Sequence, residues 1–140
     1  MNKVMIMVVV ALLTGCRSKD PSPNPVQGNC EPVVLTQDLD QLQSDWFVID
    51  SAYVQDNCLK IQVAYGGGGG GEVFFELHRS NQLFQSLPQQ LPIRLTLVDR
   101  DFGKAMIYKE ISFDLTEIAQ VTGKPVLLKL QDYELPIRYE

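Results

Sequence analysis

The sequence predicts an all-β domain: an antiparallel β-sandwich or open barrel of about seven strands, with one or two short helical turns. Three observations carry that expectation. Downstream of residue 45, apolar side chains recur mostly at every second position. The same stretches are rich in β-branched and aromatic residues, which fit a pleated, half-buried surface. Turn-forming Gly, Pro, Asn and Asp return at intervals of roughly 8–12 residues, the spacing of short strands joined by tight connections.

Taken in order, "LTQDLDQLQSDW" is the first candidate element, with Leu35, Leu39, Leu42 and Trp46 spaced as on one face of a short helix. "WFVIDSAYVQ" then alternates Phe47 and Ile49 with Val48 and Asp50. "NCLKIQVAY" sets Leu59, Ile61, Val63 and Tyr65 against Lys60, Gln62 and Ala64. Asp56-Asn57 between these two strands is a tight-turn pair and predicts a hairpin. "EVFFELHR" places Val73, Phe75 and Leu77 opposite Glu72, Phe74, Glu76 and His78. "PIRLTLVD" alternates Ile93, Leu95 and Leu97 with Arg94, Thr96 and Val98. "KAMIYKEISFDL" shifts its apolar phase near Lys109, which predicts a bend or bulge there. "DLTEIAQVTGKP" offers a helical turn capped by Asp114 or Thr116 and stopped by Gly123 and Pro125. "PVLLKL" and "LPIRY" close the chain as strands around the polar turn "QDYE".

The N-terminal part has a different character. Lys3 precedes the apolar stretch Val4 to Leu13, too short to span a bilayer, where about 20 residues are needed. It ends in "LTGC", which resembles the lipobox of bacterial lipoproteins. In that family a diacylglyceryl group is placed on the cysteine sulfur, the signal is cut before it and the new amine is acylated. The resemblance implies a signal peptide at 1–15, acyl chains on Cys16 and attachment to the outer membrane of the cell envelope. Pro21, Pro23 and Pro25 alternate with small polar residues, a composition that favours extended polyproline II over a core. Residues 16–29 are thus expected to be the lipidated cysteine and a tether, and 30–140 a single domain.

Charge and cysteine count narrow the function classes. Seventeen acidic residues against twelve basic ones give a net charge of −5 with no basic run, so the footprint for nucleic acid is missing. With Cys16 assigned to lipid, Cys30 and Cys58 form an even pair in an oxidising compartment, which predicts a disulfide. The glycine run Gly66 to Gly71 satisfies GxGxxG, but Glu72 to Arg79 alternates as a strand where a phosphate site needs a helix N-terminus. A mobile connection between strands is the expectation, with no cofactor. "DRDFG" offers Asp99 and Asp101 as weak calcium ligands, but calcium needs six to eight oxygens, and a turn is the expected role. His78 is the single histidine; it lies on the polar face of its strand beside Glu76 and is expected to be a solvated surface residue. No GxSxG and no free thiol accompany it.

From Cys30 to Glu140 the chain is similar to a set of small lipoproteins of Bacteroidota. The likeness is carried by the lipobox, by "NCL" where those have "DCL", by Ser86, Pro88 and Gln90, and by "FDLT" from Phe113 to Thr116. It implies an envelope location and a β fold, and supplies no mechanism. It also implies cysteines at positions that fall here on Gly70 and Gly103. On that alignment the glycine run is the remnant of a cross-linked turn, and the two glycines lie opposite each other at disulfide distance. The sequence thus points to an envelope-anchored lipoprotein acting as a non-catalytic binding or structural module, with an envelope protein or glycan as partner. A hydrolase acting on an envelope polymer and a small-ligand carrier are the alternatives.

Overall fold

The structure, a computed structural model, describes residues 30–140; the signal segment, Cys16 and the tether lie outside them. Eight strands and one helix follow each other: β1 (Val33–Thr36), β2 (Phe47–Gln55), β3 (Cys58–Gly67), β4 (Val73–Ser80), β5 (Gln89–Asp99), β6 (Ala105–Asp114), α1 (Thr116–Thr122), β7 (Val126–Leu130) and β8 (Ile137–Tyr139). They form a five-stranded sheet, β1-β4-β5-β7-β8, and a three-stranded sheet, β2-β3-β6. The residues singled out by alternation build the core between them. Leu59, Ile61 and Val63 of β3, Leu77 of β4, Ile93, Leu95 and Leu97 of β5 and Phe113 of β6 are all buried. Each contributes about 1.5–3 kcal/mol by leaving water.

Asp56 and Asn57 both adopt positive φ, 51° and 62°, and close the β2–β3 hairpin as a type I′ turn whose twist matches the strands. Asn57 is also a junction: its carbonyl accepts from Leu115 N–H, and its side-chain oxygen accepts from the Tyr139 hydroxyl and Lys124 Nζ. Cys30 and Cys58 are disulfide-bonded, with Cα atoms 6.2 Å apart. The bond fastens the first described residue to the start of β3. From there Glu31 pairs with β6 and the chain crosses to the other sheet as β1.

Three local expectations need correction. Leu35 to Trp46 forms no helix, because Val33–Thr36 pairs with β4 instead, and Leu35 and Trp46 face no core, being 54% and 62% exposed. The bulge lies in β2, between Ile49 and Ser51, whereas β6 pairs with β3 in unbroken register from Cys58↔Asp114 to Gly67↔Ala105. The phase shift in β6 has another cause: Lys109, opposite Val63, holds an inward position at a gap between the sheets that solvent enters. Finally, β1–β4 and β5–β7 are parallel ladders, whereas the other paired strands run antiparallel. The second helical candidate is real. Asp114 Oδ1 accepts from the amide and hydroxyl of Thr116, Ile118 is buried, and Gly123 ends the helix at φ 72°. Glu117 on α1 meets the buried Arg79 of β4 at 2.7 Å, which fixes the helix to the larger sheet.

Candidate functional site

The glycine run connects β3 to β4 and folds against the turn before β6. The carboxylate of Asp101 sits inside it: Oδ2 accepts from Gly68 N–H at 3.0 Å, and Oδ1 accepts from Gly69 N–H at 2.7 Å and Gly103 N–H at 2.8 Å. The Gly103 amide above all, then those of Gly69, Gly68 and Gly70, hold Asp101 below the usual carboxylate range against the opposing effect of partial burial. The loop therefore does cradle an anion, and the anion is the protein's own. Asp99 Oδ1 accepts the amide of Asp101 at 2.7 Å. Oxygens of both aspartates thus serve as acceptors for backbone N–H groups, which is turn chemistry. Among the described residues no three His, Cys, Asp or Glu side chains converge as a metal would require.

The cross-linked-turn reading fails on one residue. The two turns are neighbours, but Gly103 packs against Gly67 and Gly69, and a side chain on it would collide with their backbone. A side chain at Gly70, in contrast, would point into open space with no atom within 4 Å. A disulfide brings the two Cβ atoms to about 3.5–4.5 Å, and Gly103 has no room for one.

His78 is a second correction: it is only 7% exposed. The loop after β1 covers this part of the outer face, where the Leu39 carbonyl accepts from Nη1 of Arg94, the cross-strand partner of His78. The ring is held between two hydroxyls, Nδ1 3.0 Å from Thr36 Oγ1 and Nε2 3.1 Å from Thr96 Oγ1. Burial pushes its pKa down, with Arg94 acting the same way and Glu76, 3.6 Å away, acting against it. Both ring nitrogens are engaged, so His78 is a structural bridge across β1, β4 and β5.

The feature that sequence reasoning missed is the free edge of β6. Glu31 satisfies one end of it: its N–H donates to the Ser112 carbonyl and its carbonyl accepts from Asp114 N–H, both at 2.8 Å. By the alternation of a strand, the backbone groups of Met106, Tyr108 and Glu110 face the same way, and among the described residues no strand lies beside them. A cleft of about 530 Å³ opens along this edge, lined by Glu31, Val73, Phe75, Glu76, Lys109 and Ile111 among others. On the outer face Val48, Ala64 and Tyr108 lie in one cross-strand row, with Met106 opposite Gly66 in the next. Tyr108 is 77% exposed and Met106 50%. Further along, Glu110 accepts from the Tyr53 hydroxyl at 3.0 Å and from the Gln62 amide at 2.6 Å, with Lys60 at 3.6 Å. The hydrogen bond to Glu110 raises the Tyr53 phenol. The face is therefore polar at the disulfide end and apolar at the glycine-loop end. Its one sequence signal was the lysine standing in an inward position of β6.

No family model and no curated protein matches the chain. Solved structures do. One is a protein of unknown function, DUF1344, from Bacteroides vulgatus, with a TM-score of 0.57, 12% identity and 79% of this chain covered. Another is a NigD-like immunity protein from Bacteroides caccae, with a TM-score of 0.58, 16% identity and the same coverage. The matches take in 57% and 58% of those chains, so this chain spans less than two thirds of either. At such identities the likeness is one of fold: a two-sheet β architecture that this chain shares with Bacteroides proteins.

Proposed function

We propose that the protein is a lipid-anchored, non-catalytic binding module of the cell envelope that captures an extended segment of a partner protein at the open edge of β6. The observation that carries the reading is the row of outward-facing backbone groups at Met106, Tyr108 and Glu110, with a cleft beside its Glu110 end. Strand addition draws affinity from such main-chain groups and specificity from the side chains alongside, here Tyr108, Met106 and Val48 on the outer face. Two further observations favour binding over the alternatives. Leu59, Ile61, Leu77, Ile93 and Leu128 fill the space between the sheets with no exposure, which leaves carriage inside a barrel without support. Glu110, one of the carboxylates at the cleft, is engaged by Tyr53, Gln62 and Lys60. The description of one neighbour as an immunity protein fits a binding role. The anchor rests on the lipobox resemblance at Cys16, and mass spectrometry of the membrane-extracted N-terminal peptide tests it.

For the recognition edge, a photo-cross-linking phenylalanine analogue in place of Tyr108 should trap a discrete adduct in intact cells. The same group at Leu135, exposed between β7 and β8, should not. Equal labelling at both positions rejects the reading.

A further inference from the structure

We infer that the protein carries a second binding site, for a neutral pyranose sugar, in the cleft between the start of β2 and the middle of β5. The inference goes beyond the reading of β6 and does not depend on it, because β2 and β6 are opposite edges of the three-stranded sheet.

The site begins as a gap in backbone pairing. β7 accompanies β5 as far as Ile93, whose carbonyl accepts from Gln131 N–H at 3.0 Å. Pairing on that side resumes at Leu97, whose carbonyl accepts from Asp45 N–H at 2.9 Å and whose N–H donates to Ser44 Oγ at 3.0 Å. Leu95 shares the parity of Ile93 and Leu97, so its N–H and C=O point into the interval between them. Among the described residues no strand lies beside Leu95 on that side. The interval is about 13 Å long, at the usual rise of a strand. Gln131 and Ser44 stand at its two ends, so it suits a compact ligand and not a passing strand.

A cavity of about 430 Å³ opens over this gap, with Asp45, Trp46, Phe47, Arg94, Leu95 and Asp132 among its walls. That is room for a small molecule, whose sites run to roughly 300–1,000 Å³. The side chains narrow its chemistry. Trp46 is exposed and offers a flat apolar face, which the C–H face of a sugar ring can cover. Asp45 Oδ2 accepts from Asp99 N–H, which leaves Oδ1 as an acceptor. Asp132 is exposed in a turn at φ 64°. Arg94 gives Nη1 to the Leu39 carbonyl and keeps further N–H donors. Acceptors, donors and one aromatic face together match a ligand whose hydroxyls do both and whose ring is apolar on one side. Two carboxylates against one guanidinium disfavour an anion, which sets aside phosphates and acidic sugars.

Trp46 is the single tryptophan of the chain, so its fluorescence reads the site directly. The full chain in a sugar-free detergent is titrated with maltotriose, mannotriose and chitotriose. At least one should give a saturable change in emission, and trigalacturonate and glycerol should give none. Asp132→Asn keeps a residue that tolerates positive φ and should weaken that binding about tenfold, the loss of one hydrogen bond to a charged group. Trp46→Ala, followed by calorimetry, should abolish the heat of binding in a folded protein, since the ring removed is exposed. Tyr108→Ala, on the opposite edge, should leave the titration unchanged. Silence with all three neutral sugars overturns the inference, as does an equal response to trigalacturonate or unaltered affinity in Asp132→Asn. Loss of the response in Tyr108→Ala would move the sugar to the β6 face and overturn it as well.

Discussion

Two groups of backbone amides lie at the same end of this molecule and meet opposite fates. In the glycine loop, the N–H groups of Gly68, Gly69 and Gly103 converge on one point, and Asp101 supplies the charge that such a nest attracts. Along β6, N–H and C=O groups alternate in a straight row that a single ion does not satisfy and a strand does. The loop looks like a ligand site by composition and is closed by a residue some thirty positions away. The edge has no compositional mark and is open. A converging nest that finds its acceptor inside the chain is architecture, and the linear row of β6 is where the proposed strand addition would act.

The largest expected effect comes from the disulfide at the far end of β6 from the glycine loop, which fastens Cys30 to the start of β3. Replacing Cys30 and Cys58 by Ser should cost about 3–4 kcal/mol in urea unfolding, from the chain entropy of the loop between them. It should also loosen Glu31, so that the Asp114 amide exchanges faster while the Asp101-bound amides of the glycine loop do not. Loss of protection at both places would show one cooperative unit and dissolve the contrast.

Next comes the closeness of the loop. Gly103→Ala should destabilise by about 1–3 kcal/mol, the usual cost of forcing atoms into a filled space, because its new methyl group meets the Gly67 and Gly69 backbone. Gly70→Cys with Gly103→Cys should stay reduced in air, measured as free thiol. Spontaneous oxidation would mean that the turn opens enough to bring the two together.

Acid should act on the His78 and Asp101 networks in separate windows. His78 is depressed below its ordinary value near 6.5, so its contribution is complete above that pH and is lost as pH falls below it. Asp101 is also depressed, so its contribution is present above its ordinary value of 3.8 and is lost as pH falls beneath that. Melting temperature followed from pH 7 to pH 2.5 should show both declines. In Asp101→Asn the lower one should shrink and the upper one remain. An unchanged lower decline in that variant would mean that the loop amides do not depend on the carboxylate.

The sequence made the core legible because burial and strand period coincide. Leu59, Ile61, Val63, Ile93, Leu95 and Leu97 alternate without interruption, and each lies inside. The hairpin was legible because Asp56-Asn57 tolerates the positive φ that the turn demands. What stayed hidden depends on cover and on pairing partners. His78 reads as a surface residue on its own strand and is enclosed by hydroxyls of the neighbouring strands β1 and β5, which its own sequence does not announce. The Leu35–Trp46 spacing suits a helix, but backbone pairing with β4 took its first residues. The parallel ladders of β1 and β5 were equally invisible, since alternation along a strand is indifferent to the direction of its neighbour.

The smallest effect on stability is the sharpest test of the open edge. In Tyr108→Pro the lost N–H faces away from β3, and the ring removed is largely exposed. Edge positions whose N–H points outward tolerate proline, so the change should stay within about 0.5 kcal/mol. Lys109→Pro, one residue on, removes an N–H that faces β3 opposite Val63 and should cost about 3 kcal/mol. The two variants have nearly the same composition and opposite placement, so their difference in urea midpoint reads the orientation of β6 directly. Equal costs would mean that Tyr108 is tied into the sheet, and the edge would then have no free groups to offer a partner. A small cost at Tyr108 and a large one at Lys109 leaves the row of Met106, Tyr108 and Glu110 as the strand-accepting surface. Joining Tyr108→Pro to a cross-linker at Met106 should then weaken trapping of the partner in a protein that folds as well as before.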